Sequence, residues 1–192
     1  LETIYKWNYR DEFFSEFNHM RNYVLGDEKA LVMASYPRGN RPKRPFPYFN
    51  EVMTGFEYSA AIGMIYEGME VEGIDCISNI RDRYDGAKRS PFNEAECGNH
   101  YSRAMASWGG ILAWTGQQYD GRVGKLSFTR KSKEALPFFT GDAYGTVQND
   151  GKKITITVLE GTLRLKSIEM PGFENRTLSD LQLLSKGNSI DL

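Results

Sequence analysis

The stretch Thr54-Gly-Phe-Glu-Tyr-Ser-Ala-Ala-Ile-Gly-Met-Ile-Tyr66-Glu-Gly-Met-Glu-Val-Glu-Gly-Ile-Asp-Cys-Ile-Ser-Asn-Ile-Arg-Asp-Arg-Tyr-Asp-Gly86 decides the reading of the fold. Tyr58, Ala61, Ile62 and Ile65 recur at helical spacing behind Thr54-Gly-Phe-Glu57, which has the spacing of a capping box. These residues predict a helix over 54–68 that stops at Gly68. Val71, Ile74, Ile77, Ile80 and Tyr84 then return every three or four residues, predicting a second helix over 70–84. A connection this short makes the pair an antiparallel helical hairpin.

On the N-terminal side, Phe13, Phe17, Met20 and Val24 predict a further helix over 11–25, with Gly26 as its stop. Residues 35–50 hold four of the seven prolines, so they form a long, semi-rigid loop. Its basic residues Arg38, Arg41, Lys43 and Arg44 suit a solvated loop first, then one wall of a polar ligand cleft, and least a nucleic-acid contact, since nothing else in the chain is basic. On the C-terminal side, Tyr101, Met105, Trp108 and Leu112 predict a helix over 99–115. From about residue 121 the hydrophobic period falls to two. Lys125 to Thr129 alternate, Asn149-Asp150-Gly151 precedes the alternating Ile154, Ile156 and Val158, and Glu160-Gly161 reads as a second turn before Leu163 and Leu165. Leu178, Leu181 and Leu184 are spaced for one short helix. The expected fold is therefore mainly α, a helical section over 1–120 followed by a smaller β-hairpin-rich section over 121–192.

Composition bounds the function. The 192 residues carry 24 Lys and Arg against 25 Asp and Glu, and this near-neutral balance argues against nucleic acid as a partner. No apolar run approaches the roughly 18 to 20 residues of a membrane-spanning helix. His19 and His100 are far apart, and Cys76 and Cys97 form no CxxC pair, so neither a metal site nor a disulfide framework is expected. No signal-peptide pattern opens the chain, and Leu1-Glu-Thr-Ile-Tyr-Lys-Trp7 reads as an element entered midway; a piece of a longer protein is expected.

The chemistry concentrates between Arg83 and Trp108. Pro91-Phe-Asn-Glu-Ala-Glu-Cys-Gly-Asn-His-Tyr-Ser-Arg103 is rich in hydrogen-bonding groups, a place to hold a polyhydroxylated ligand with carboxylates accepting and Arg103 donating. The plainer reading is that Glu94 and Glu96 cap the helix that follows.

Four motifs, Asn50-Glu-Val-Met-Thr-Gly-Phe-Glu-Tyr58, Arg83-Tyr-Asp-Gly86, Pro91-Phe-Asn-Glu-Ala-Glu-Cys-Gly98 and His100-Tyr-Ser-Arg-Ala-Met-Ala-Ser-Trp108, together with the proline loop, resemble the C-terminal end of the glycoside hydrolase family 116 catalytic domain. That family includes the non-lysosomal glucosylceramidases, or bile acid β-glucosidases, and bacterial β-glucosidases. The similarity covers about residues 3–120. It implies part of an (α/α)6 barrel, a retaining mechanism and a glucoside or glucosylceramide-like substrate, with no cofactor. Residue by residue, Glu94 and Arg103 match the family's glucose-contacting Glu and Arg, and Glu51 matches an acidic residue near the catalytic centre. His100 and Tyr101 are neighbours without an assigned role.

The family's nucleophile and acid/base lie in motifs upstream of these. A retaining glycosidase needs two carboxyl groups about 5 to 5.5 Å apart. Glu94 and Glu96, at i and i+2, would face apart on a strand or a helix. The resemblance thus implies a glucosyl-binding fragment without its catalytic pair, partnered by the missing N-terminal part of the same barrel. The competing expectation is a stand-alone, non-catalytic carbohydrate-binding or interaction module.

Overall fold

The computed structural model describes residues 1–16, 21–99 and 103–192, apart from the side chains of Cys97, Arg103 and Ala104. The chain divides into two compact units, Leu1–Ala113 and Trp114–Leu192.

The first unit is organised by the expected hairpin. Helix α1 (Glu2–Asn8) leads into strand β1 (Tyr9–Arg10), which pairs antiparallel with β2 (Ala30–Leu31). Helices α2 (Thr54–Tyr66) and α3 (Glu70–Arg83) follow. Gly68 takes a φ of +83°, its N–H bonds to the Ile65 carbonyl at 3.1 Å, and the Met69 N–H reaches the Met64 carbonyl at 2.8 Å. This Schellman arrangement closes α2 and turns the chain into α3. Ala61, Met64 and Cys76 pack with Leu31 in one cluster, and Tyr58, Ile80 and Tyr84 in another.

The second unit is a curled mixed sheet around one long strand, β7 (Ile154–Glu169). The order is β3 (Gln118–Asp120), β4 (Lys125–Ser127), β7, β6 (Ala143–Asn149), β5 (Leu136–Phe139), with β8 (Arg176–Ser185) and β9 (Ser189–Asp191) also pairing β7. The N-terminal half of β7 pairs β6 and β9, and its C-terminal half pairs β8 and, in parallel, β4. Alternate side chains of β4, β5, β6 and β7 enter a single core that includes Leu126, Phe138, Val147, Ile156 and Leu165.

These observations correct the expected fold class. The chain is about 26% helical and about 27% strand, neither mainly α nor an (α/α)6 barrel. Such a barrel needs successive long amphipathic pairs, whereas among the described residues only α2 and α3 pair, and α1 and α4 (Trp108–Thr115) span seven and eight residues. No helix is found in the described part of 11–25: residues 11–16 are bends and irregular chain, and the Phe13 N–H bonds to the Gly26 carbonyl at 2.7 Å. Phe13 and Val24, spaced for a helix, reach a small core beside β2 through a loop instead; Phe17 and Met20 lie outside the described residues. The helix expected over 99–115 begins only at Trp108, behind two 3₁₀ turns, Glu96–Asn99 and Arg103–Ser107. Leu178, Leu181 and Leu184 lie on strand β8, not a helix: Leu184 is buried, Leu178 packs against the core and Leu181 is exposed. Glu160-Gly161 is not a turn between strands, because β7 runs through it, with Gly161 at a φ of +81° beside a register shift.

Candidate functional site

The first turn of α2 carries the polar chemistry of the first unit. Met53 occupies the N-cap position and no side chain caps the helix, so Thr54 and Glu57 are not the capping box that their spacing suggests. Both side chains are committed elsewhere. Thr54 Oγ1 donates to Glu94 Oε2 across 40 residues of chain. Glu57 Oε1 accepts from the Leu31 N–H at 3.0 Å, and Glu57 Oε2 accepts from Arg83 Nη2. Arg83 Nη1 donates to the Lys29 carbonyl at 2.5 Å. Glu57 and Arg83 are 3% and 2% exposed, so this ion pair is fully withdrawn from water.

Glu51, Glu94 and Glu96 are also buried. Arg21 Nε stands 3.7 Å from Glu51 Oε2. Glu96, opening a 3₁₀ turn, lies near enough to act electrostatically on Glu57. Desolvation raises the Glu57 carboxyl above its ordinary range despite the attraction of Arg83, and the charge of Glu96 pushes the same way. Burial likewise raises the phenols of Tyr58 and Tyr84.

Glu94 follows the turn closed by the Asn93 N–H on the Ser90 carbonyl at 3.2 Å. Its carboxylate is used asymmetrically, because Oε2 is held by Thr54 whereas Oε1 is buried with no hydrogen-bond partner among the described residues. Glu94 lines a cavity of about 10 Å³ together with Thr54, Tyr58, Arg81 and Tyr84. That is room for about one water molecule or one hydroxyl group. The hydrogen bond to Thr54 runs back to α2 and not forward into a following helix, so Oε2 of Glu94 is not a helix cap.

Of the residues singled out from sequence, Glu51 and Glu94 are buried beside the start of α2. The backbone of Arg103 opens the second 3₁₀ turn, and its side chain lies outside the described set. His100 and Tyr101 lie outside the described residues altogether. Thr54, Glu57 and Arg83 were missed as site residues. A signal was present: Cys76, Ile80 and Arg83 follow one helical stripe, placing a guanidinium where an apolar side chain belongs. Among the described residues no three His, Cys, Asp or Glu side chains gather to hold a metal ion, and no helix is long and apolar enough to cross a membrane. Comparison of the chain with models of known protein families and with curated proteins finds no match.

Proposed function

We propose that the chain is the glucosyl-binding part of a retaining β-glucosidase or glucosylceramidase-like glycoside hydrolase, with Glu94 and Arg103 as its sugar contacts. The observation that carries this reading is the state of Glu94, a buried carboxylate with one oxygen clamped by Thr54 and the other lacking a partner among the described residues, beside a cavity sized for one hydroxyl. Leaving a buried acceptor unsatisfied costs about 1–3 kcal/mol, and a ligand hydroxyl would recover it. Three of the four motifs that resemble the glycosidase family also come together here: Thr54 with Glu94, and Glu57 with Arg83. The proposal does not depend on an α/α barrel.

Chemistry is assigned to carboxylates outside this stretch, so the chain by itself should not hydrolyse an aryl β-glucoside above background. In the complete enzyme, Glu94→Gln or Arg103→Ala should lower kcat/KM by roughly 10²- to 10³-fold, as expected if contacts to the glucosyl ring tighten in the oxocarbenium-like transition state. Steady-state kinetics and thermal midpoints of both variants decide it. Normal kinetics with a lowered midpoint would make the pair structural and end the proposal.

The second reading, a non-catalytic carbohydrate-binding or interaction module, is favoured by the division into two compact units, each with buried cores of its own. The reading frame upstream of Leu1 separates the two: several hundred residues bearing a carboxylate pair support the enzyme, and a start or stop codon there supports the module.

A further inference from the structure

The proline-rich loop and the strands behind it enclose a second cavity, of about 340 Å³, that the glycosidase reading does not use. It lies within the first unit and shares no lining residue with the cavity at Glu94. This size falls at the small end of the range for ligand pockets, about 300–1,000 Å³. We propose that it binds a small hydroxylated ring bearing one anionic group, a sugar acid or a sugar phosphate, with Arg41 as the residue that recognises the charge.

The walls supply what such a ligand needs. Tyr36 and Phe49 meet edge to face at 5.4 Å and form an apolar corner against which the C–H face of a sugar ring can lie. The Arg41 guanidinium sits over the Phe49 ring, 5.8 Å from its centroid, which orients its donors beside that corner. Arg10 is fixed by Glu16 at Nε and by the carbonyls of Trp7 and Tyr9, 2.8 and 2.9 Å from Nη1, so its charge is preorganised. Among the described lining residues, the guanidinium groups of Arg10 and Arg41 stand beside the single carboxylate of Glu16. The buried amide of Asn50 adds a polar edge. Gly39 opens the rim: its φ is +69°, its N–H is tied to the Tyr36 carbonyl, and no atom lies within 4 Å of where a side chain would begin.

The test is a titration of the ¹⁵N-labelled chain with methyl β-glucuronide, glucose 6-phosphate, methyl β-glucoside and inorganic phosphate, following amide shifts. At least one anionic sugar should bind about tenfold or more tightly than the neutral glucoside, with shifts centred on Ala34 and Gly39. Whichever of the two binds identifies the source of the charge. Arg41→Gln should abolish the preference while Arg41→Lys, which keeps the charge, restores part of it, and Tyr36→Leu should weaken every sugar. Equal binding of the neutral glucoside, inorganic phosphate binding as tightly as glucose 6-phosphate, no binding by either anionic sugar, or shifts away from Ala34 and Gly39 would each overturn the proposal. Failure of the glycosidase reading is seen separately, because binding at Glu94 would move the Thr54 amide instead.

Discussion

Arg83 carries a full charge into the interior of the first unit. Its guanidinium is withdrawn from water and held by the Glu57 carboxylate and the Lys29 carbonyl. An apolar replacement for the whole pair could be neutral, but removal of one partner leaves an uncompensated buried charge. Arg83→Met should therefore cost about 3–5 kcal/mol, and adding Glu57→Gln should restore part of it; urea unfolding of the single and double variants measures both. Glu28 gives a pH dependence of known sign. Burial alone would raise its carboxyl, but Arg89, at 2.5 and 2.9 Å, and the Leu25 N–H at 2.7 Å outweigh burial and hold it below the usual range. Because the folded value is the lower one, the unfolded chain takes up the proton first as pH falls. This contribution is full above the ordinary carboxyl range near pH 4.3 and is lost below it. The urea midpoint of the native chain should fall between about pH 5 and pH 3 by more than that of Glu28→Gln; parallel profiles would remove Glu28 from the account. The sequence singles out Glu94, and the structure buries its carboxylate against Thr54. Thr54 itself is not singled out, because a Thr three residues before a Glu reads as a local cap, whereas the contact that forms spans 40 residues.

At the scale of elements, the α2–α3 hairpin was legible because both helices keep a regular apolar stripe and Gly68 supplies the stop. The failures have one physical source: spacing of three or four apolar residues records only which side chains seek burial. Phe13 and Val24 satisfy that demand through a loop, and Leu178 and Leu184 through a strand edge of β7. Asn149-Asp150-Gly151 was read correctly as a turn, since its signal is local. Asp150 Oδ1 accepts from the Lys152 and Lys153 N–H groups at 2.8 and 2.9 Å, Gly151 has a φ of +88°, and Asn149 pairs with Ile154. The hairpin also gives a prediction in which two effects oppose. Gly73→Ala would gain about 1 kcal/mol of helix propensity. The new Cβ, however, would stand 2.7 Å from the Ala61 carbonyl oxygen and 2.7 Å from Ile65 Cγ1, and a backbone atom cannot swing aside. Overpacking of this kind costs about 1–3 kcal/mol, so the clash should win and the thermal midpoint should fall. An unchanged or higher midpoint would mean that the helices part more easily than their contact implies.

For the molecule as a whole, the distribution of buried apolar side chains decides which unit is the more stable. Trp114–Leu192 is the shorter unit, yet its described residues build one continuous cluster of 14 buried side chains. Among the described residues of Leu1–Ala113, the clustered buried apolar side chains fall into three separate groups of four, four and three. It also exposes large apolar groups, with Phe92, Val71, Met105 and Trp108 at 96%, 81%, 71% and 71%. Burial stabilises roughly in proportion to apolar area removed from water, and a broken core leaves more of its helical hydrogen bonds open to solvent. The slowest-exchanging amides of the chain should therefore belong to the inner strands β4, β6 and β7, with those of α2 and α3 exchanging earlier. On heating, loss of helical signal should precede loss of sheet, with self-association beginning at that first step as the exposed apolar groups of the first unit are joined by its unfolded core. Hydrogen exchange resolved by residue, combined with a thermal scan followed by light scattering, measures all three. If α2 and α3 protect their amides longer than β7, the stability of the first unit must come from polar pairs such as Glu57–Arg83 more than from its apolar clusters, and the ranking of the two units is reversed.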